Sequence, residues 1–172
     1  AVMWASAGGH TQIARFLIDQ GARVDYQRST NGATALMWAA CNGHLQTTQL
    51  LLEKGADVDL QRTSDGVTAL MWAAQNGHTD TVKLLLDSGA DVGVKNTSNK
   101  ATALWIAAGN GHADIVRLLI EKKAKVDVKT KSGLTGLIWK SDTDDEEEDE
   151  EDEVTIFELL RLLDKLETNT GA

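Results

Sequence analysis

Short apolar patterns at helical spacing come in pairs along this chain, and the pair recurs every 34 residues. Residues 68–92 read TALMWAAQNGHTDTVKLLLDSGADV, residues 34–58 read TALMWAACNGHLQTTQLLLEKGADV, and residues 102–126 read TALWIAAGNGHADIVRLLIEKKAKV. All four histidines, His10, His44, His78 and His112, fall at the same spacing. A fixed period of this length marks a repeat architecture. Within one unit, Leu70, Ala73 and Ala74 share a face of a first helix over about 70–75, and the two alanines leave room for another helix to approach. Thr34, Thr68 and Thr102 precede these helices, where a hydroxyl can accept from the free N–H groups of a first turn. Asn-Gly-His breaks each helix, because glycine accepts the positive φ of a helix end. A second helix is expected over about 79–88, with Val82, Leu84, Leu85 and Leu86 in its apolar stripe. Gly55 and Gly89 should end their second helices in the same way, whereas Lys123 holds that place in the fourth unit.

Such a pair is too small to bury its own apolar face, so three or more must stack. The T-A-L-x-x-A-A, N-G-H, L-L-L and G-A-D-V segments, in three full copies, resemble the ankyrin repeat over nearly the whole chain. The resemblance implies an all-α, ankyrin-type solenoid of about five helix-turn-helix repeats, with short β-hairpin or loop fingers projecting from the stack. The family's Thr-Pro-Leu-His becomes Thr-Ala-Leu-Met or Thr-Ala-Leu-Trp here, and the chain has no proline. The repeat is also one residue longer than is usual. Met37, Met71 and Trp105 are therefore expected to pack where the family's histidine forms hydrogen bonds.

Taken in order, residues 1–30 form a partial first unit, in which Val2, Met3 and Trp4 match Leu36, Met37 and Trp38. Its cap threonine and loop are missing and no Met stands at position 1, so a piece of a longer polypeptide is expected. Residues 31–64, 65–98 and 99–131 are regular units. Asn31-Gly32 and Asp65-Gly66 make good hairpin turns in their loops, and Asn99-Lys100 a poorer one. Residues 132–168 read as an irregular capping unit, with a first helix over 135–141, an acidic insertion at 142–153 and an amphipathic helix over 154–166; 169–172 is a tail. The last helix is expected to cap the stack, with docking in a partner's groove as the alternative.

Charge changes this picture through its location. Residues 142–153 hold eleven acids, and setting them aside turns the net charge of −9 into +2. A nearly neutral stack thus adjoins one strongly acidic segment, which cannot fold alone. It reads as a solvated, self-repelling loop, with binding of a basic partner, or lying over the basic fingers as an internal competitor, as the alternatives. The fingers carry a faint basic stripe, Arg28 and Arg62 with Lys95, Lys100, Lys129 and Lys131, which reads as a plain solvated surface or, alternatively, as a groove rim that steers an acidic or phosphorylated segment of a partner protein. Nucleic acid is disfavoured, because the chain as a whole repels phosphate. The single cysteine, Cys41, excludes an internal disulfide and suits a reducing compartment, so an intracellular setting, cytoplasm or nucleus, is expected. No run of about 18 apolar residues exists to span a membrane, and no signal peptide is visible.

No catalytic set emerges. One histidine per unit, about a helix–helix distance apart, cannot gather the several ligands at about 2 Å that zinc requires. Each, sitting in the turn between two helices, is expected to bond backbone. The neighbour of Cys41, His44, is accounted for by the repeat, and there is no Gly-rich phosphate loop. Asp25, Asp59 and Asp127 hold one repeat position and are expected to make loop hydrogen bonds. Trp4, Trp38 and Trp72 also recur, with Ile106 in the fourth place and Trp139 in the last unit. At 100° per residue Trp38 lies about 200° from Leu36, so it packs against the next unit or looks into the groove, where aromatics make good anchors. No enzyme activity, cofactor or metal is expected.

The expected function is protein recognition on a concave surface lined by fingers and first helices. The ankyrin resemblance implies contacts at finger residues and at the variable pair before Gly-His. Carried onto this sequence, these are Gln27, Arg28, Asn31, Ala33, Cys41 and Asn42 in one unit. The next supplies Gln61, Arg62, Asp65, Val67, Gln75 and Asn76, and the third Lys95, Asn99, Ala101, Gly109 and Asn110. Three readings stay open at this point: an adaptor or scaffold, a regulatory or targeting module of a larger enzyme or channel, and a chaperone-like binder of basic clients through the acidic loop.

Overall fold

The computed structural model describes residues 1–122, 128–130 and 137–139, the last two segments by their backbone alone. Expectations for Lys123, Asp127, Lys131, the acidic insertion and the helix over 154–166 lie outside the described residues. Eight helices appear among those described: α1 (Val2–Ala7), α2 (Thr11–Asp19), α3 (Ala35–Cys41), α4 (Leu45–Glu53), α5 (Ala69–Gln75), α6 (Thr79–Asp87), α7 (Ala103–Gly109) and α8 (Ala113–Glu121).

Local chemistry sets their ends. The Thr34, Thr68 and Thr102 hydroxyls accept from the backbone N–H of Met37, Met71 and Trp105 at 3.3, 3.4 and 3.3 Å. Each thereby satisfies a donor that the first turn leaves without a partner. The Asn-Gly step closes α3, α5 and α7, with Gly43, Gly77 and Gly111 at φ of 68°, 74° and 76°. Gly55 and Gly89 follow α4 and α6 in the left-handed region, as their sequence positions imply.

The odd-numbered helices form one row and the even-numbered helices another. Ala39, Ala40, Ala73 and Ala74 are fully buried in the first row. Because their side chains are small, α1, α3, α5 and α7 meet one another over more of their length than α2, α4, α6 and α8 do. Unequal spacing of the rows bends the stack toward the first helices. One apolar cluster containing Val2, Leu36, Leu51, Leu70, Leu85, Ile115 and Leu119 runs through units 1 to 4. Each such side chain contributes about 1.5–3 kcal/mol by leaving water. Exposed ion pairs, Lys54 with Asp19 at 2.6 Å and Lys122 with Asp87 at 2.8 Å, also bridge neighbouring units. Surface pairs of this kind contribute little beside the core.

Met37 and Met71 are buried in the place expected of them. Trp105, at the equivalent position, is 36% exposed; the rigid indole is too large for a slot that a flexible thioether fills. Two other expectations are corrected. The finger turns are wider than two-residue hairpins. The Arg28 carbonyl accepts from both Asn31 and Gly32, and the Arg28 N–H donates to the Ala33 carbonyl, so the loop spans four residues with Gly32 alone left-handed. In the fourth unit Lys100 takes that glycine's place at φ 60°, the one non-glycine residue with positive φ among those described, at a steric cost. Finally, 137–139 is not helical. Strand β2 (Leu137–Trp139) pairs antiparallel with β1 (Val128–Thr130) and lies beside α7. Gly136 disfavours a helix there, while Leu-Ile-Trp suits a strand.

Ser6 occupies the place of Ala40 and Ala74, fully buried, and its hydroxyl has no hydrogen-bond partner among the described residues. Ser6→Ala is expected to stabilise the chain by about 1 kcal/mol, since it removes a buried unsatisfied group. The thermal midpoint should rise by about 2–4 °C, and a fall would show that the hydroxyl has a partner in solution.

Candidate functional site

The inside of the bend is built from the first-helix row and the fingers beside it. The fingers are tied into a sheet-like edge by backbone bonds, Ser64 N–H to the Asn31 carbonyl at 3.4 Å and Thr97 N–H to the Asp65 carbonyl at 2.8 Å. The Gln27 amide adds a bond to the Gln61 carbonyl at 3.0 Å. Within each finger a side-chain oxygen accepts from the backbone two residues on: Asn31 from Ala33, Asp65 from Val67 and Asn99 from Ala101. Gly66 sits so close to the next finger that a Cβ would lie 2.9 Å from the Thr97 backbone nitrogen. Below the fingers, Asp25 and Asp59 accept from the N–H of Asp57 and Asp91 in the next unit, the loop bonds that their recurrence predicts.

The opposite edge is held by the histidines. His44 Nε2 donates to the Ala7 carbonyl at 3.0 Å, His78 to Cys41 at 3.0 Å and His112 to Gln75 at 3.1 Å. A carbonyl can only accept, so each ring carries its proton on Nε2. Each of the three therefore bonds backbone, as expected, and the carbonyl belongs to the preceding unit. The rings rest on the preceding turn's glycine: a Cβ on Gly43 would lie 2.5 Å from His78, and one on Gly77 2.7 Å from His112. Asn42 and Asn76 donate to the same Ala7 and Cys41 carbonyls at 2.9 Å. Asn110 instead bonds Ile106 within its own helix at 2.8 Å.

Between these edges the tryptophans form a line. Trp38 and Trp72 are half-buried, whereas Trp4 is 77% exposed although the next unit lies beside it. The two half-buried rings pack against the apolar cluster that runs through the units, and a finger residue adds cover. Arg62 shows how: its guanidinium lies 4.9 Å from the centroid of the Trp72 ring, a cation–π contact, while pairing with both oxygens of Asp65. The bond from Arg62 holds the Asp65 carboxyl below the usual carboxylate range. Burial pushes the Cys41 thiol up, against smaller opposing effects of the Asn76 bond and the Arg62 charge. The thiol stays protonated at neutral pH, unlike an activated nucleophile.

The sequence-derived contact residues thus divide. Arg28, Gln61, Gln75, Asn99, Gly109 and Asn110 are exposed, while Cys41, Val67 and Lys95 are half-buried. Ala33 and Ala101 are buried at 3% and 2% exposure, out of a partner's reach. Gln27, Asn31, Asn42, Asn76, Arg62 and Asp65 face the surface but are engaged within the stack. The half-exposed indoles are absent from the list drawn from sequence; their 34-residue recurrence was the available signal.

A family model described as ankyrin repeats matches residues 2–96 and 70–143, in three copies. A comparison with curated proteins yields no match.

His78→Ala should cost about 1–2 kcal/mol by removing a bond to a carbonyl and a packed ring. His10→Ala should cost far less, since His10 makes no bond to another unit among the described residues; equal losses in chemical denaturation would contradict the histidine clamp. Asp65→Asn keeps the turn cap that Asn31 and Asn99 provide and removes only the charge. It should cost about 1 kcal/mol at neutral pH. A carboxyl depressed in the folded state stabilises above its unfolded value and loses that contribution as pH falls through the folded one. The difference from wild type should be complete above roughly pH 5 and shrink below about pH 4, as read by urea titration across pH.

Proposed function

The chain belongs to the ankyrin repeat family, whose members are generally protein–protein interaction modules, and from that membership we propose that its concave face holds a segment of a partner protein. The observation that carries this reading is the recurrence of half-exposed Trp38 and Trp72 on the inner helix row, with the exposed Arg28 in a finger of the same stack. Indoles fixed by packing are good interface anchors, because little entropy is lost when they are covered. The finger cation favours a partner segment bearing a carboxylate or phosphate opposite it. Arg62 contributes less attraction than its sequence position implies, since Asp65 neutralises it.

The role is that of an adaptor or of a regulatory module within a larger assembly, without catalysis. The family is typically non-catalytic, and the one cysteine, a free thiol, is held protonated by burial. A single unpaired cysteine suits a reducing intracellular compartment.

Affinity capture followed by mass spectrometry identifies the partner, and variants locate its seat. Arg28→Glu is expected to weaken capture at least about tenfold, the effect of losing one charge-assisted contact, with the thermal midpoint nearly unchanged because Arg28 is exposed. Deletion of 142–153 should leave capture intact. Unaltered binding by Arg28→Glu together with loss on the deletion would transfer the function to the acidic segment and a basic client.

A further inference from the structure

Two fingers share one backbone, and one of them carries its own anion. In the finger before α5, the Arg62 N–H donates to the Val67 carbonyl, and the Arg62 carbonyl accepts from Asp65 and Gly66. In the finger before α3, Arg28 makes the same three bonds with Ala33, Asn31 and Gly32. The turn cap is shared too: Asp65 Oδ1 accepts from Val67 at 3.3 Å and Asn31 Oδ1 from Ala33 at 3.1 Å. Opposite the arginine, the loops therefore differ by a carboxylate in one and an amide in the other.

In the later finger the arginine is satisfied from inside. Arg62 Nε donates to Asp65 Oδ1 at 2.8 Å, a terminal nitrogen donates to Oδ2, and the guanidinium lies over the Trp72 ring. Only 20% of the Arg62 side chain meets water. In the earlier finger Arg28 is exposed and Trp38 half-buried, and the Arg28 side chain has no partner among the described residues. Asn31 is poorly made to supply one, because its oxygen already accepts from Ala33 and its NH2 group can only donate. The opening is thus set within the unit, by the residue at 31. A third finger bears on the pairing of the two large groups. Asn96 stands at the arginine position and Ile106 at the tryptophan position. Asn96 is buried, its oxygen accepting from Asn99 and Ala101 at 3.1 and 3.2 Å. Arginine and tryptophan occur together in two units, and neither occurs in the third.

Resting on the groove reading above, we propose that Arg28 and Trp38 form an open seat for one carboxylate side chain of the partner segment, an aspartate or glutamate, and that Arg62, Trp72 and Asp65 are the same seat filled by the chain itself. The incoming carboxylate takes two parallel N–H bonds from Arg28, whose guanidinium lies along the Trp38 indole as that of Arg62 lies along Trp72. The group that Asp65 places there is planar with two oxygens, which favours a carboxylate over a tetrahedral phosphate. The residue at 31 or 65 decides whether a unit offers its arginine to a partner or keeps it.

The probe is acetyl-Gly-Glu-Gly-amide, with its glutamine analogue as control, titrated at millimolar concentration and low salt into the full chain. Binding is followed by the side-chain N–H resonances of Arg28 and Trp38. The glutamate peptide should shift both, and the glutamine peptide neither. Asn31→Asp should fill the seat from inside and weaken the peptide at least about tenfold, without lowering the thermal midpoint, because Asp65 already caps the same turn. Asn99→Asp adds the same charge to a finger that lacks the arginine and tryptophan, and should leave the affinity unchanged. Asp65→Asn should open the second seat, so that the Arg62 and Trp72 resonances respond where those of the wild type do not. Equal responses to the two peptides, or equal losses from Asn31→Asp and Asn99→Asp, would overturn the seat. A response to an O-phosphoserine peptide but not to the glutamate peptide would also overturn it, as the occupant would be a phosphate. So would an Arg28 resonance protected in the full chain and released by deleting 142–153, as the occupant would be the chain's own acids. A captured partner that binds Asn31→Asp unchanged would overturn the seat and spare the groove reading, whereas peptide binding with no partner captured would do the reverse.

Discussion

A helix pair of some twenty residues encloses nothing. Ordering it costs about 1–2 kcal/mol per residue in backbone entropy alone, and its two sides are both boundaries. What compensates is burial across the joint with the next pair, so the contact between units, rather than any one unit, is the element of stability. Two close approaches set that contact. At one edge a histidine ring rests on the glycine of the preceding turn, and at the other a threonine of one finger lies against the glycine of the finger before it. Neither glycine could carry a side chain, for reasons of space as well as of backbone conformation. The hydrogen bonds from His44, His78 and His112 then fix the sliding position that the glycines permit.

Helix limits and buried positions were legible because their causes are local. Thr34, Thr68 and Thr102 cap within three residues of themselves, and Gly43 or Gly55 turns the chain by its own φ. Features that depend on a neighbour one period away were not. Asn42, Asn76 and Asn110 are the same letter at the same position, yet two clamp the unit before them and the third bonds inside its own helix. Arg62 counted as a basic surface residue until Asp65 and Trp72 were seen to enclose it. The turn at Asn31-Gly32 contains the right dipeptide for a two-residue hairpin, but the bond from Arg28 to Ala33 sets a wider loop. At 137–139 the register of the repeat suggested a helix, and the β propensity of Leu-Ile-Trp beside Gly136 prevailed.

The same distinction orders the candidate recognition surface. Residues that vary little between units mostly hold the units together, even where they reach the surface. Exposed side chains such as those of Arg28 and Gln75, whose backbone alone is engaged in the stack, leave a partner something to bind without loosening it. Trp38 and Trp72 do both, since one side of each ring packs on the core and the other borders the groove.

The inner helices meet through alanine and the outer ones through leucine, and this difference amounts to a wedge angle built into every joint. The arc of the whole stack is the sum of those wedges, so its radius is a matter of side-chain volume at sites that no ligand touches. Enlarging Ala39 or Ala73 would flatten the arc, and trimming an outer leucine would do the same from the other side. The width of the hollow could thus drift over evolutionary time, or be tuned by hand, while every exposed residue stayed unchanged.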